Sequence, residues 1–99
     1  MPITREINEN LQRSVIFVEG QFDFSSVQDF RDCYEDLTDH EIIIDFRNAD
    51  YMDSAGLGML LNMQTSLKKP DKSIHIVNCM PQIKKVLLIS RFDKKFVIE

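Results

Sequence analysis

Three β-branched residues in a row, Ile42-Ile43-Ile44, restrict this chain more than any other feature. Such residues favour extended backbone, and a run without polar alternation describes a central strand covered on both faces. The rest of the chain alternates strand and helix signals around it. Pro2 to Asn8 reads as a short edge strand, and Ser14 to Glu19 as a stronger one stopped by Gly20; the turn-like Asn8-Glu9-Asn10 between them makes a hairpin. From Phe24 to Leu37, apolar residues recur at helical spacing (Phe24, Val27, Phe30, Tyr34, Leu37), with Ser25 or Asp23 as N-cap. The central strand, Glu41 to Phe46, is followed by a polar loop and a helix from Ser54 to about Lys68, which Pro70 ends. Ser73 to Asn78 is a further strand. Pro81 opens a third helix with Ile83, Val86 and Leu87 inward, and Phe96 to Ile98 closes the chain as a strand. The order ββαβαβαβ predicts one α/β domain over residues 1–99, with three main helices and a mixed, mostly parallel sheet joined by right-handed crossovers.

Composition narrows the function classes. Ninety-nine residues make one core. The net charge is −4, and even the densest basic groups, such as Lys68-Lys69 and Lys84-Lys85, are only pairs, which argues against direct nucleic-acid binding. Without a membrane-length apolar segment or a signal-peptide core, the chain reads as a cytoplasmic protein that makes no membrane contact. Cys33 and Cys79 belong to no CxxC pair and read as free, largely buried thiols. His40 and His75 lack metal-ligand spacing, so no metal or other cofactor is implied.

The segment from Asp45 to Leu61 holds the candidate site, because strand-to-helix connections at the carboxyl end of a parallel sheet are where sites are built. Ser54 stands where an N-cap would stand, and capping alone would account for it. Gly56 and Gly58 lie in the first turns of the helix, where glycine costs about 1 kcal/mol against alanine; close approach of a neighbouring element or of a partner is the reason inferred. The spacing is not G-x-S-x-G, and neither histidine is tied to Ser54. Gly56-Leu57-Gly58 lacks the third glycine and the acid of a dinucleotide fingerprint, and the lysine of a phosphate loop. The chain does not read as an enzyme.

Met52-Asp53-Ser54-Ala55-Gly56-Leu57-Gly58-Met59-Leu60 resembles the signature of the STAS domain, named for sulfate transporters and anti-sigma factor antagonists. Gly20-Gln21-Phe22-Asp23 is similar to that family's Gly-x-Leu/Phe-Asp, and Ile42 to Phe46 to the strand before the signature. The resemblance covers nearly the whole chain. It implies a monomeric anti-sigma factor antagonist whose unmodified form captures an anti-sigma factor that is also a serine kinase, freeing the sigma factor. Ser54 would be the phosphoacceptor, restored by a PP2C-type serine phosphatase, with Asp23 and Asp53 shaping the acceptor loop. Many members carry a second Ser at the position of Ala55, so here Ser54 is the single acceptor. A second role in the family is that of a constitutive accessory subunit bound to the ATPase of a lipid transporter; those members typically carry Thr and Gly in the motif.

Phosphate at a helix N-terminus would meet unpaired amides and the positive end of the macrodipole. The modification would add about −1.5 to −2 charges beside Asp50 and Asp53 and alter the surface without unfolding the domain. Gly56 and Gly58 would keep the approach to Ser54 clear for a docking partner. Leu57, Leu60 and Leu61 form the predicted core set of this helix. Met59 and Met63 lie at its margin, either as core or as a partner-docking patch beside Ser54. Arg47 reads as a solvated loop residue and the acids from Asp29 to Asp39 as an outer helix face. Cys79 has no basic neighbour in view to activate its thiol.

Overall fold

The computed structural model describes residues 2–99. Strands β1 (Ile3–Asn8) and β2 (Arg13–Phe22) form the antiparallel hairpin. Its turn is held by the Asn8 side chain, which accepts from the Leu11 amide at 3.1 Å. Helix α1 (Val27–Tyr34), strand β3 (Glu41–Met52), helix α2 (Ser54–Ser66), strand β4 (His75–Val77), helix α3 (Pro81–Ile89) and strand β5 (Val97–Ile98) follow. The sheet runs β1-β2-β3-β4-β5, with every pair after the first parallel. An α/β domain with the order ββαβαβαβ is therefore what the chain builds.

Successive right-handed crossovers that advance one strand at a time place their helices on the same face of a sheet. Burial follows that rule. Ile16, Val18, Ile42, Ile44, Phe46 and Ile76 face the helices and are buried with Phe30, Tyr34, Leu60, Met63, Ile83 and Leu87. Ile43 points the other way, between Val15 and His75, and all three are half-buried. The triple-isoleucine strand is thus covered on one face and partly open on the other, a correction to the two-sided cover its composition predicts. Its open-face neighbour Val15 is β-branched as well, and Val77 stands beside Asp45 one pair further along the same face, which supplies lateral shielding without a helix.

Two strands overrun their predicted ends. Gly20 does not stop β2; with φ +74° it sits at an irregularity where the β2–β3 register shifts, once between Phe17 and Glu19 and again between Gly20 and Gln21. A glycine is suited to such a bulge because positive φ carries no Cβ penalty. The predicted polar loop after Phe46 is a continuation of β3, with Asn48, Ala49, Tyr51 and Met52 paired to Glu19, Gly20, Gln21 and Phe22. Among the described residues only β2 and β3 reach this far, so the ribbon is wet on one side; Phe22, Ala49 and Met52 turn inward, and Tyr51 stays exposed. The first helix is shorter than predicted. Phe24–Ser26 forms a 3₁₀ turn, and Phe24 leaves the predicted core stripe with 80% of its surface exposed.

Phe22, the last residue of β2, anchors the far end of the ribbon. Its ring meets Phe30 edge-on at 4.9 Å and Phe46 at 5.4 Å, and Phe30 meets Tyr34 at 5.3 Å. Helix α2 presses onto the same residue. A Cβ on Gly56 would stand 2.6 Å from the Phe22 carbonyl oxygen and 2.9 Å from the Met52 side chain, whereas one on Gly58 would meet nothing within 4 Å. Gly56→Ala is therefore expected to lower stability by about 1–3 kcal/mol through overpacking against backbone. Gly58→Ala should raise stability by about 0.5–1 kcal/mol, because alanine is the better helix former in open space. Urea midpoints of the two variants at unchanged m-value test the pair.

Candidate functional site

Strand pairing assembles the site. Phe22 and Met52 are register partners at the ends of β2 and β3, so the residues that follow them, Asp23 and Asp53, leave neighbouring strand ends on one edge of the sheet. Each acid caps the turn it begins. The Asp23 carboxylate accepts from the Ser25 amide at 3.0 Å and the Ser25 hydroxyl at 2.6 Å. The Asp53 carboxylate accepts from the amides of Ala55 at 2.9 Å and Gly56 at 3.2 Å.

Asp53, not Ser54, is therefore the N-cap of α2. Its backbone is extended (φ −121°, ψ −169°), and its carbonyl takes the first helical bond, from the Leu57 amide. A carboxylate suits this place because it satisfies two orphan amides and complements the positive end of the helix dipole. Ser54 is the first helical residue, exposed, with its hydroxyl released from capping. Two of the amides predicted to receive a phosphate, those of Ala55 and Gly56, are already held by Asp53.

The other site residues separate into two groups. Gly56 is buried and its lack of a side chain serves the Phe22 contact, so it offers no surface to a partner. Met59 is buried and Met63 fully so, which places both in the core and removes the methionine patch considered beside Ser54. Leu60 is fully buried, while Leu57 and Leu61 are half-buried against the core. Gly58 is exposed one turn beyond Ser54. The apolar surface at this edge comes instead from Phe24 and from Tyr51, which is 46% exposed. The sequence hid both: Phe24 fell on the helical period, and Tyr51 was assigned to a loop.

Asp45 was also missed as a structural acid. It is buried in mid-sheet, where one carboxylate oxygen accepts from the Arg47 amide at 2.8 Å and the other from the Asn78 side chain at 3.0 Å. The exposed Arg47 guanidinium lies 3.9 Å from it. Neither histidine serves Ser54. His40 Nδ1 lies 2.9 Å from the buried Ser14 hydroxyl, and His75 Nδ1 lies 3.4 Å from Glu99. Both cysteines are free and half-buried. Burial pushes the Cys79 thiol up to about 11; Lys84 pulls it down, so a basic neighbour exists after all, but desolvation is the larger effect.

The STAS-domain family profile matches residues 2–99. The chain belongs to the STAS-domain family. A STAS-domain-containing protein of Pseudomonas aeruginosa is 40% identical over 100 residues, covering 99% of each chain. The unphosphorylated anti-sigma factor antagonist SpoIIAA superposes with TM-score 0.78 at 22% identity, covering 98% of this chain and 87% of that one. The phosphorylated form of SpoIIAA, a Bacillus cell fate determinant, gives TM-score 0.69 at 22% identity, covering 98% and 90%. At such identity the two structures establish the shared fold.

Asp53→Ala should cost about 0.5–2 kcal/mol by removing the cap, while Ser54→Ala should stay within about 0.5 kcal/mol of the unmutated domain; thermal unfolding separates the two assignments of the cap. The raised Cys79 pKa keeps its thiol protonated. At pH 8 its thiolate is roughly a hundredfold scarcer than that of a thiol titrating near 9. Alkylation of Cys79 by iodoacetamide, followed by peptide mass, should be slower by about that factor in the native protein than in urea.

Proposed function

We propose that the chain is an anti-sigma factor antagonist whose partner binding is switched off by phosphorylation of Ser54. The unmodified form captures an anti-sigma factor that is also a serine kinase, and the sigma factor is released. A PP2C-type serine phosphatase restores Ser54, and the cycle runs in the cytoplasm with a monomeric antagonist that performs no catalysis of its own.

The observation that carries this reading is the exposed Ser54 hydroxyl at the first position of α2, with the helix already capped by Asp53. A phosphoacceptor must be reachable, and its modification must not dismantle the fold. A serine that capped its own helix would meet the second condition badly, since esterification would disturb the cap. Here the cap is supplied by the neighbouring residue, and a phosphate on Ser54 projects from the surface.

Electrostatics decide what the phosphate then does. The Ala55 and Gly56 amides are taken, so the phosphate gains little from them. It adds about −1.5 to −2 charges at an edge that already holds Asp23, Asp50 and Asp53. A partner surface complementary to a small neutral hydroxyl then meets bulk, like charge and desolvation cost. Binding is lost while α2 and the core stay in place. The kinship of the fold with SpoIIAA, solved in unphosphorylated and phosphorylated forms, supports the same reading.

Intact-mass measurement of the protein from its own host, with and without Ser54→Ala, should find one phosphate that disappears in the variant. A pull-down with unmodified protein should return a serine kinase, identified by peptide mass, and Ser54→Asp should weaken its capture by about tenfold or more. An unmodified Ser54 together with capture of a transporter ATPase would replace the switch by the constitutive accessory role.

A further inference from the structure

Helix α3 carries a second surface that the Ser54 edge does not use. Its inward side is Ile83 and Leu87. Its outward side is Pro81, Lys84, Lys85, Leu88 and Ile89, spaced i, i+3, i+4, i+7 and i+8 along one stripe. With Cys79 these residues line a groove of about 450 Å³. Leu88 is 44% and Ile89 71% exposed, so a branched apolar pair sits in water at the carboxyl end of the stripe.

The charge of this region opposes that of the chain. From Cys79 to Ile98 there are five basic residues (Lys84, Lys85, Arg91, Lys94, Lys95) and one acid, Asp93, in a protein of net charge −4. Lys84 and Lys85 lie in the first half of α3, where the macrodipole favours acids. Among the described residues, neither lies within ion-pair distance of a carboxylate. Helix stability therefore does not account for the pair. Their aliphatic stems can extend the apolar wall of the groove while the ammonium groups stay at its rim.

We propose that this face of α3 docks an acidic amphipathic helix of a protein partner, separately from the Ser54 edge. A stripe with this spacing accepts the ridge of a second helix. Apolar side chains of the partner fill the groove against Leu88 and Ile89, and its acids face Lys84 and Lys85. A second copy of this chain fits poorly: the outward positions of its own acidic helix, Gln28, Arg31, Asp32 and Glu35, are all polar and bring nothing to fill an apolar groove.

The probe is a fluorescein-labelled helical peptide of about 15 residues, with Leu at i, i+3, i+4 and i+7 and Glu at most other positions, titrated against the whole protein by anisotropy. Saturable binding that weakens with salt is expected. Leu88→Asp/Ile89→Asp should abolish it, and Lys84→Glu/Lys85→Glu should weaken it about tenfold or more; unchanged urea midpoints show that both variants are folded. The proposal is overturned if the peptide does not bind, if both variants bind like the unmutated protein, or if a version with Lys in place of Glu binds equally well. Sedimentation with phosphatidylserine vesicles, or a dimer in analytical ultracentrifugation, lost in Leu88→Asp/Ile89→Asp while the peptide fails to bind, would overturn it in favour of a membrane or a second copy.

Discussion

The contact between Gly56 and Phe22 holds the site to the fold. Helix α2 lies so close to the end of β2 that no side chain fits between Gly56 and the Phe22 carbonyl. The Phe22 ring in turn meets Phe30 of α1 and Phe46 of β3. One residue at the tip of a two-stranded ribbon is thereby tied to both helices beside it. A ribbon of two strands is marginal by itself. Packing of α2 against it fixes where Ser54 emerges.

Capping completes the arrangement. Because Phe22 pairs with Met52, the chain leaves both strands at the same level, and an aspartate at each exit turns it into a helical segment. The acids occupy amides that any anion near Ser54 would otherwise reach. Two of the amides at the start of α2 are thereby taken, and Ser54 stands at an acidic, solvated edge with Phe24 and Tyr51 exposed.

The order of elements was legible because each carries its own period or breaker: β-branched runs for β2 and β3, Pro81 for the start of α3, Pro70 after α2. The motif from Met52 to Leu60 was legible as well, since it is contiguous. Boundaries were less so. Arg47 to Tyr51 has the composition of a loop, yet it pairs with β2, because an exposed ribbon needs backbone partners more than apolar side chains. Phe24 matched the helical stripe at its first position, but the chain enters through a 3₁₀ turn, whose tighter winding takes that residue off the face shared by Phe30 and Tyr34.

By itself the sequence determined the family, the α/β class, the strand and helix order and the position of Ser54 at the start of α2, since all of these reside in local pattern or in a contiguous motif. Tertiary structure alone decided which of two adjacent polar residues caps that helix, that Gly56 is spaceless while Gly58 is free, and that Met59 and Met63 face inward. It also decided that one face of the central strand stays partly open. Each of these depends on which residues from distant parts of the chain come to lie together, and periodicity along one segment carries no record of its neighbours.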